Sequence, residues 1–220
     1  MKKLSGRGDS RTSRPLKKTE KEQGVTLYQD EAVFQQAGMV IKTWALVGIG
    51  VQVLSPPVRR SIKVMGAVRI GANPQWHSRF VKVFNAETFI EFLDQLVRYY
   101  RGTKIHLITD NAPYHKSPEV HDWLKGKEHL IELHFLPAYS PKLNAAEYVW
   151  RKTKRAITHN KFFSRLQDLR QALARRFNRF QGNPASLRSA IPPFRLSANV
   201  NAEIYSFTFC LPMSVTTLLR

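Results

Sequence analysis

The sequence predicts an α/β domain, a mixed sheet with helices on its faces. Strand-like and helix-like segments alternate along the chain, and 43% of the 220 residues are hydrophobic, enough to fill one core. A third observation concerns the surface: the formal charge is +19, and part of it lies inside a helix-patterned stretch. Such an excess favours an anionic partner, and the pattern points to nucleic acid.

The elements follow in order. Residues 1–23 carry eight Lys/Arg and three acids without periodicity, and read as a flexible basic arm. Residues 25–31 read as a short buried strand ending in Asp30 and Glu31. Residues 42–53 form an irregular apolar stretch closed by Pro56-Pro57. Residues 61–70 and 76–84 are rich in β-branched and aromatic side chains and meet across Gly71-Ala72-Asn73-Pro74, which predicts a hairpin or meander. Asn85 then caps a helix bearing Phe89, Phe92, Leu93, Leu96, Val97 and Tyr100 at helical spacing, with Gly102 ending it. A strand over 104–109 ends at Asp110-Asn111, a short helix covers 118–124, and another strand covers 131–135. Pro137 and Pro141 bracket a loop before two helices, about 144–158 and 165–180, each with an apolar stripe. The domain is therefore expected over 24–180. Residues 181–220 form an extension without an assigned structure, and 195–220 show no period.

Composition excludes several classes. Cys210 stands alone, so there is no disulfide framework, and the chain fits a reducing cytoplasm. No apolar run approaches the ~18–20 residues of a membrane span, and no apolar segment follows Lys2-Lys3 to make a signal peptide. His115 and His121 are six apart and His129 and His134 five apart; neither is a helical ligand pair, and no His-Glu-x-x-His occurs, so no zinc motif is present. Trp44, Trp76, Trp123 and Trp150 are expected in the core rather than as base-stacking platforms.

Three acids occupy telling positions. Asp30 sits at the end of the first strand and Asp110 at the end of a later one, and sites in open α/β sheets form outside the carboxyl ends of strands. Glu147 lies in the first turn of the helix after the proline loop, on the edge of its apolar stripe. Crowded carboxylates repel and take up protons unless a cation neutralises them, and Mg²⁺ suits an all-oxygen cluster. Two ions about 4 Å apart serve an in-line displacement at phosphorus. Ten Lys/Arg and one acid occupy 151–180, directly behind Glu147, a face suited to tracking phosphates.

Three blocks carry a resemblance: Gln29-Asp30-Glu31; Thr109-Asp110-Asn111-Ala112-Pro113-Tyr114-His115; and Leu136-Pro137-Ala138-Tyr139-Ser140-Pro141-Lys142-Leu143-Asn144-Ala145-Ala146-Glu147-Tyr148-Val149-Trp150. Together they resemble the signature blocks of DDE-type transposases of the insertion sequence 630 family, in the Tc/mariner superfamily. The third block is the most specific, and the 36 residues between Asp110 and Glu147 are similar to that family's spacing. The resemblance implies a ribonuclease H-like fold with a five-stranded mixed sheet and helices on both faces. It implies Asp30, Asp110 and Glu147 as catalytic and metal-binding triad, with Mg²⁺ or Mn²⁺, two ions, as cofactor. Glu31, Asn111 and His115 match recurring neighbours of the triad; with Tyr139, Asn144 and Lys154 they are candidates for supporting or DNA-contacting roles. Ala145-Ala146 replaces the family's usual Pro-Ile, a change that a helix start tolerates.

The activity so implied is metal-dependent cleavage of DNA at transposon ends followed by 3′-hydroxyl strand transfer. Double-stranded DNA is the expected partner, with a homodimer on DNA and a cytoplasmic, nucleoid-associated location. Family members carry helix-turn-helix modules before the first Asp, whereas 29 residues precede Asp30 here. The sequence therefore reads as a truncated or second-reading-frame product, with a separate N-terminal helix-turn-helix chain as a further partner. The alternatives are a non-catalytic DNA-binding remnant, or another ribonuclease H-like endonuclease or integrase.

Overall fold

A computed structural model describes residues 24–37, 60–71, 73–137 and 144–191. The expectations for residues 1–23, 42–53 and 195–220, and for Tyr139, lie outside the described residues. Five strands make one sheet: β1 (Val25–Gln35), β2 (Ser61–Arg69), β3 (Gln75–Val81), β4 (Ile105–Thr109) and β5 (Ile131–Phe135), in the order β3-β2-β1-β4-β5. β1, β2 and β3 pair antiparallel, and β4 joins β1 and then β5 in parallel. This is the mixed five-stranded sheet that the sequence predicts.

Each parallel step needs a crossover. Helix α1 (Ala86–Tyr99) makes the one from β3 to β4, and a 3₁₀ turn (Pro113–Lys116) with α2 (Pro118–Leu124) makes the one from β4 to β5. Helices α3 (Ala145–Ile157), α4 (Leu166–Gly182) and α5 (Pro184–Arg188) follow. Helix α1 starts where expected because Asn85 and Thr88 form a reciprocal capping box, the Asn85 side chain accepting from Thr88 N at 3.0 Å. The cap also shortens the preceding strand. Residues 82–84 were expected in β3, but the Thr88 hydroxyl takes the Val83 carbonyl at 2.9 Å, and the ladder stops at Val81.

The two faces of the sheet bury different side chains. Leu27, Met65, Ala67, Ile105 and Leu107 pack under Phe89, Phe92, Leu93 and Leu96 of α1 and Val120 of α2. On the other face Tyr28, Phe34, Val64, Trp76 and Ile108 meet Ala146, Val149 and Trp150 of α3 and Leu169, Leu173, Phe177 and Phe180 of α4. Gly66 lies in β2 opposite Asp30. A Cβ there would sit 2.6 Å from the Trp150 ring and closer still to Trp76, whose ring centroids lie 4.9 Å apart. Packed residues continue beyond 180: Leu187 of α5 and Ala190 belong to this second core.

One expectation needs correction. Asp30 was placed at the end of the first strand, yet β1 runs on to Gln35 because β2 pairs with it as far as Gln35↔Ser61. What ends near Asp30 is the parallel ladder: its last Cα pair is Tyr28↔Ile108, and β4 stops at Thr109. The opening in the sheet made by β4's end, rather than the end of β1, exposes Asp30.

Candidate active site

Two residues beyond the last parallel pair, the register places Asp30 beside Asp110. The Thr109 hydroxyl, buried, donates to the Gln29 side-chain oxygen and ties the two strands just before the acids. Asp110 leaves the strand in a tight turn, its Oδ1 accepting from Ala112 N at 3.0 Å. Asn111 donates to the Leu136 carbonyl and accepts from Lys116, linking the ends of β4 and β5.

Asn144 brings in the third acid. Its Oδ1 caps α3 by accepting from Ala146 N at 3.1 Å, while its Nδ2 donates to the Gln29 carbonyl at 2.7 Å. One buried amide thus fixes the start of α3 to the backbone next to Asp30. Glu147 follows in the first turn, where the helix dipole favours a carboxylate. Lys154 lies two turns on, about 10 Å along the same side of the helix, partly exposed.

Successive strand residues face opposite sides, so Asp30 shares the face of α3 whereas Glu31 faces α1. On that second face the buried ring of His115 bridges two carboxylates: Nδ1 lies 3.0 Å from Asp110 Oδ1 and Nε2 3.1 Å from Glu31 Oε1. Gln29 Nε2 also donates to Glu31 Oε1 at 2.7 Å, and Phe89 packs on the imidazole with centroids 4.2 Å apart. Burial opposes a charge on His115, but the bonds to Asp110 and Glu31 outweigh it and push its pKa up to about 9. The same bond to His115 holds Asp110 below the usual carboxylate range. Tyr114, beside them, is pushed up, first by burial and then by Glu31.

Asp30 behaves oppositely. Burial, then the charges of Glu31, Glu147 and Asp110, push its pKa up to about 8. The charges of Glu147 and Asp110 therefore both reach Asp30. Among the described residues, however, these three carboxylates do not gather ligand atoms to within 4.8 Å, whereas Glu31, Asp110 and His115 do. That second group is already balanced by its own hydrogen bonds, the imidazolium sitting between two carboxylates. Asp30 and Glu147 lie together on the α3 side, where an all-oxygen donor set fits a hard divalent cation such as Mg²⁺ or Mn²⁺.

The sequence from Val25 onward matches a family model over residues 25–170, described as DDE superfamily endonuclease. The chain belongs to that family. Among relatives of the endonuclease, the "Insertion element IS630 uncharacterized 39 kDa protein" of Shigella sonnei is 29% identical over 142 residues, covering 60% of this chain and 38% of that protein. The chain thus spans well under half the length of that relative. Solved structures share its fold: a pre-cleavage Mos1 transpososome (TM-score 0.54, 16% identity, 89% of this chain and 69% of that one) and a Mos1 mariner paired end complex with Mn (TM-score 0.52, 18% identity, 82% and 60%). The endonuclease fold is accordingly the ribonuclease H-like fold of transposase catalytic domains.

Sequence reasoning passed over Gln29 and Thr109, which join the strands beneath the acids. Their adjacency to Asp30 and Asp110 was the available signal. Among the described residues, no helix is long and apolar enough to cross a membrane.

Proposed function

We propose that this chain is the catalytic domain of a cut-and-paste DNA transposase whose chemistry rests on Asp30, Asp110 and Glu147. The observation that supports this best is the state of Asp30, pushed up to about 8 by burial and by acids that include both other members of the triad. Such mutual repulsion persists where a cation completes the site. Asp30, Asp110 and Glu147 would hold Mg²⁺ or Mn²⁺, two ions in this reading, and the chemistry these supply when bound is activation of the attacking oxygen and stabilisation of the leaving one at phosphorus.

The chain's own residues prepare that arrangement. His115 orients Asp110 and is itself held by Glu31. Asn144 holds α3, and with it Glu147, against β1. Exposed Arg151, Arg155 and Arg175, with Lys154, continue from Glu147 along α3 and α4 as a surface for the phosphate backbone. In the proposed reaction water breaks a P–O bond at a transposon end and frees a 3′-hydroxyl. That hydroxyl then attacks a target phosphodiester, one P–O bond forming as another breaks. The Mos1 neighbours are complexes with a transposon end and with Mn, which supports double-stranded DNA as substrate and a divalent ion as cofactor here. A homodimer on DNA, end recognition by a separate helix-turn-helix chain, and a cytoplasmic, nucleoid-associated location belong to the same reading.

The test is plasmid nicking. Purified chain with supercoiled DNA and Mg²⁺ or Mn²⁺ is expected to nick, and Asp110→Ala to bind DNA without nicking. Full-rate nicking by folded Asp110→Ala would remove the triad assignment. DNA binding without nicking by the wild type, even with an added helix-turn-helix partner, would leave a DNA-binding remnant. Nicking without joined products would leave a plain nuclease.

A further inference from the structure

Four residues back along β4 from Asp110, about 13 Å at strand spacing, lies a polar group that the proposed chemistry does not use. In the parallel β4–β5 ladder His106 pairs with Glu132 and Ile108 with His134, so His106, Glu132 and His134 project from one face. The two imidazoles are 3% and 7% exposed. His106 Nδ1 lies 3.1 Å from His134 Nε2. The Glu132 carboxylate stands 3.7 Å from the first nitrogen and 3.9 Å from the second, and also pairs with Lys104 at 3.1 Å.

These distances fit the spacing of a metal-ligand set. The two rings share a contact of 3.1 Å, Glu132 Oε2 stands 3.7 Å from His106 and Oε1 3.9 Å from His134, and one ligand atom from each residue falls within 4.8 Å of the others. Ligands held about 2.0–2.1 Å from a tetrahedral ion are roughly 3.3 Å apart, so the two ring nitrogens already stand near ligand spacing and a side-chain rotation of Glu132 would bring in one oxygen. The His106 ring is also held from behind: a Cβ on Gly24 would meet its Cδ2 at 2.9 Å, so backbone packs against the imidazole edge.

We propose that His106 Nδ1, His134 Nε2 and the Glu132 carboxylate form a binding site for Zn²⁺ or a similar late first-row divalent cation, distinct from the carboxylate triad. Two nitrogens and one oxygen favour such borderline ions over Mg²⁺, which prefers all-oxygen surroundings. The ion would clip β5, the edge strand, to β4. The sequence hides the site because its ligands sit 28 and 26 residues apart on neighbouring strands, with no helical spacing to reveal them.

The experiment is equilibrium dialysis of the full chain against micromolar Zn²⁺ in millimolar Mg²⁺, followed by elemental analysis. Visible absorption of the Co²⁺-substituted protein reports tetrahedral nitrogen ligation. One zinc per chain, a raised melting temperature and a tetrahedral Co²⁺ spectrum are expected. Asp110→Ala should retain the zinc, while His134→Ala and Glu132→Gln should each weaken it at least as much as the roughly 10–100-fold loss seen for outer-shell partners. Glu132→Gln preserves shape at a partly exposed position, so it decides the matter if His134→Ala fails to fold. Absence of stoichiometric zinc, or zinc unaffected by Glu132→Gln, would overturn the proposal. So would zinc lost in Asp110→Ala, which would assign the ion to Glu31, Asp110 and His115.

Discussion

Asp30 and Asp110 stand on neighbouring strands at one opening of the sheet, yet their protons behave oppositely. Asp110 has a charged partner in His115 and a backbone N–H from Ala112, and it is held below the usual carboxylate range. Asp30 is more buried and surrounded by acids, and it is pushed up to about 8. Residue type is shared, but Asp30 lies inside β1 and Asp110 just past the end of β4, so each meets different partners. The α1 side carries His115 as its counter-charge, and the α3 side carries Glu147 and, among the described residues, no ion pair to Asp30. The α1 half is thus balanced by the protein's own groups, and the α3 half is the one to which the proposed function assigns an ion.

The strongest way to break this comparison is to remove the balanced half's carboxylate. Asp110→Asn is expected to lower nicking by at least about 10³-fold, several kcal/mol of transition-state charge stabilisation, with the circular dichroism spectrum unchanged. Next comes the bridge. His115→Ala leaves two carboxylates without their partner at a buried position, and urea unfolding is expected to show a loss of about 2–4 kcal/mol. Because the folded pKa of His115 is raised, its contribution is complete below about pH 6.5 and disappears as pH rises through about 9. The variant should lack that fall; a pH profile parallel to the wild type's would contradict the bridge.

Asp30→Asn tests the α3 half. A carboxyl with a raised folded pKa favours the fold while protonated, and that contribution is lost as pH rises from about 4 through about 8. In metal-free buffer at pH 8 the variant should therefore melt higher than the wild type, by roughly 2–4 °C for each kcal/mol relieved. Adding Mg²⁺ at pH 7 should release protons from the wild type and not from the variant, as calorimetry in buffers of different ionisation enthalpy would read. Identical melting curves would sink this account of Asp30. The smallest effect sharpens the contrast. Arg165 and Asp168 make a bidentate pair at 2.9 and 3.1 Å on the surface, and Arg165→Ala should leave the melting temperature unchanged because water screens that pair.

Much of the fold was readable from local chemistry. The Asn85 cap, the stripe from Phe89 to Leu96 and the stripe holding Val149 and Trp150 each encode a helix and its buried face. Strand ends were less legible, because they depend on partners: β1 continues past Asp30 only because β2 is there, and β3 stops because Thr88 claims the Val83 carbonyl. The acids themselves were visible as residues at element boundaries. Their unequal environments were not, since the face that each meets depends on a register joining residues 80 apart, as with Gln29 and Thr109. Glu31 and His115 were singled out through resemblance alone; the bridge between them, spanning 84 residues, is a tertiary fact.

Gly66 has a consequence for the site although it has no side chain to place there. It lies across the ladder from Asp30, and the rings of Trp76 and Trp150 occupy the space a side chain would need. Trp150 is three residues after Glu147, nearly one turn along the same helix. The missing Cβ therefore works as a height gauge: how deeply the indole seats decides how far Glu147 stands above Asp30. A methyl group there would act as a shim, lifting Glu147 away from Asp30 without altering either.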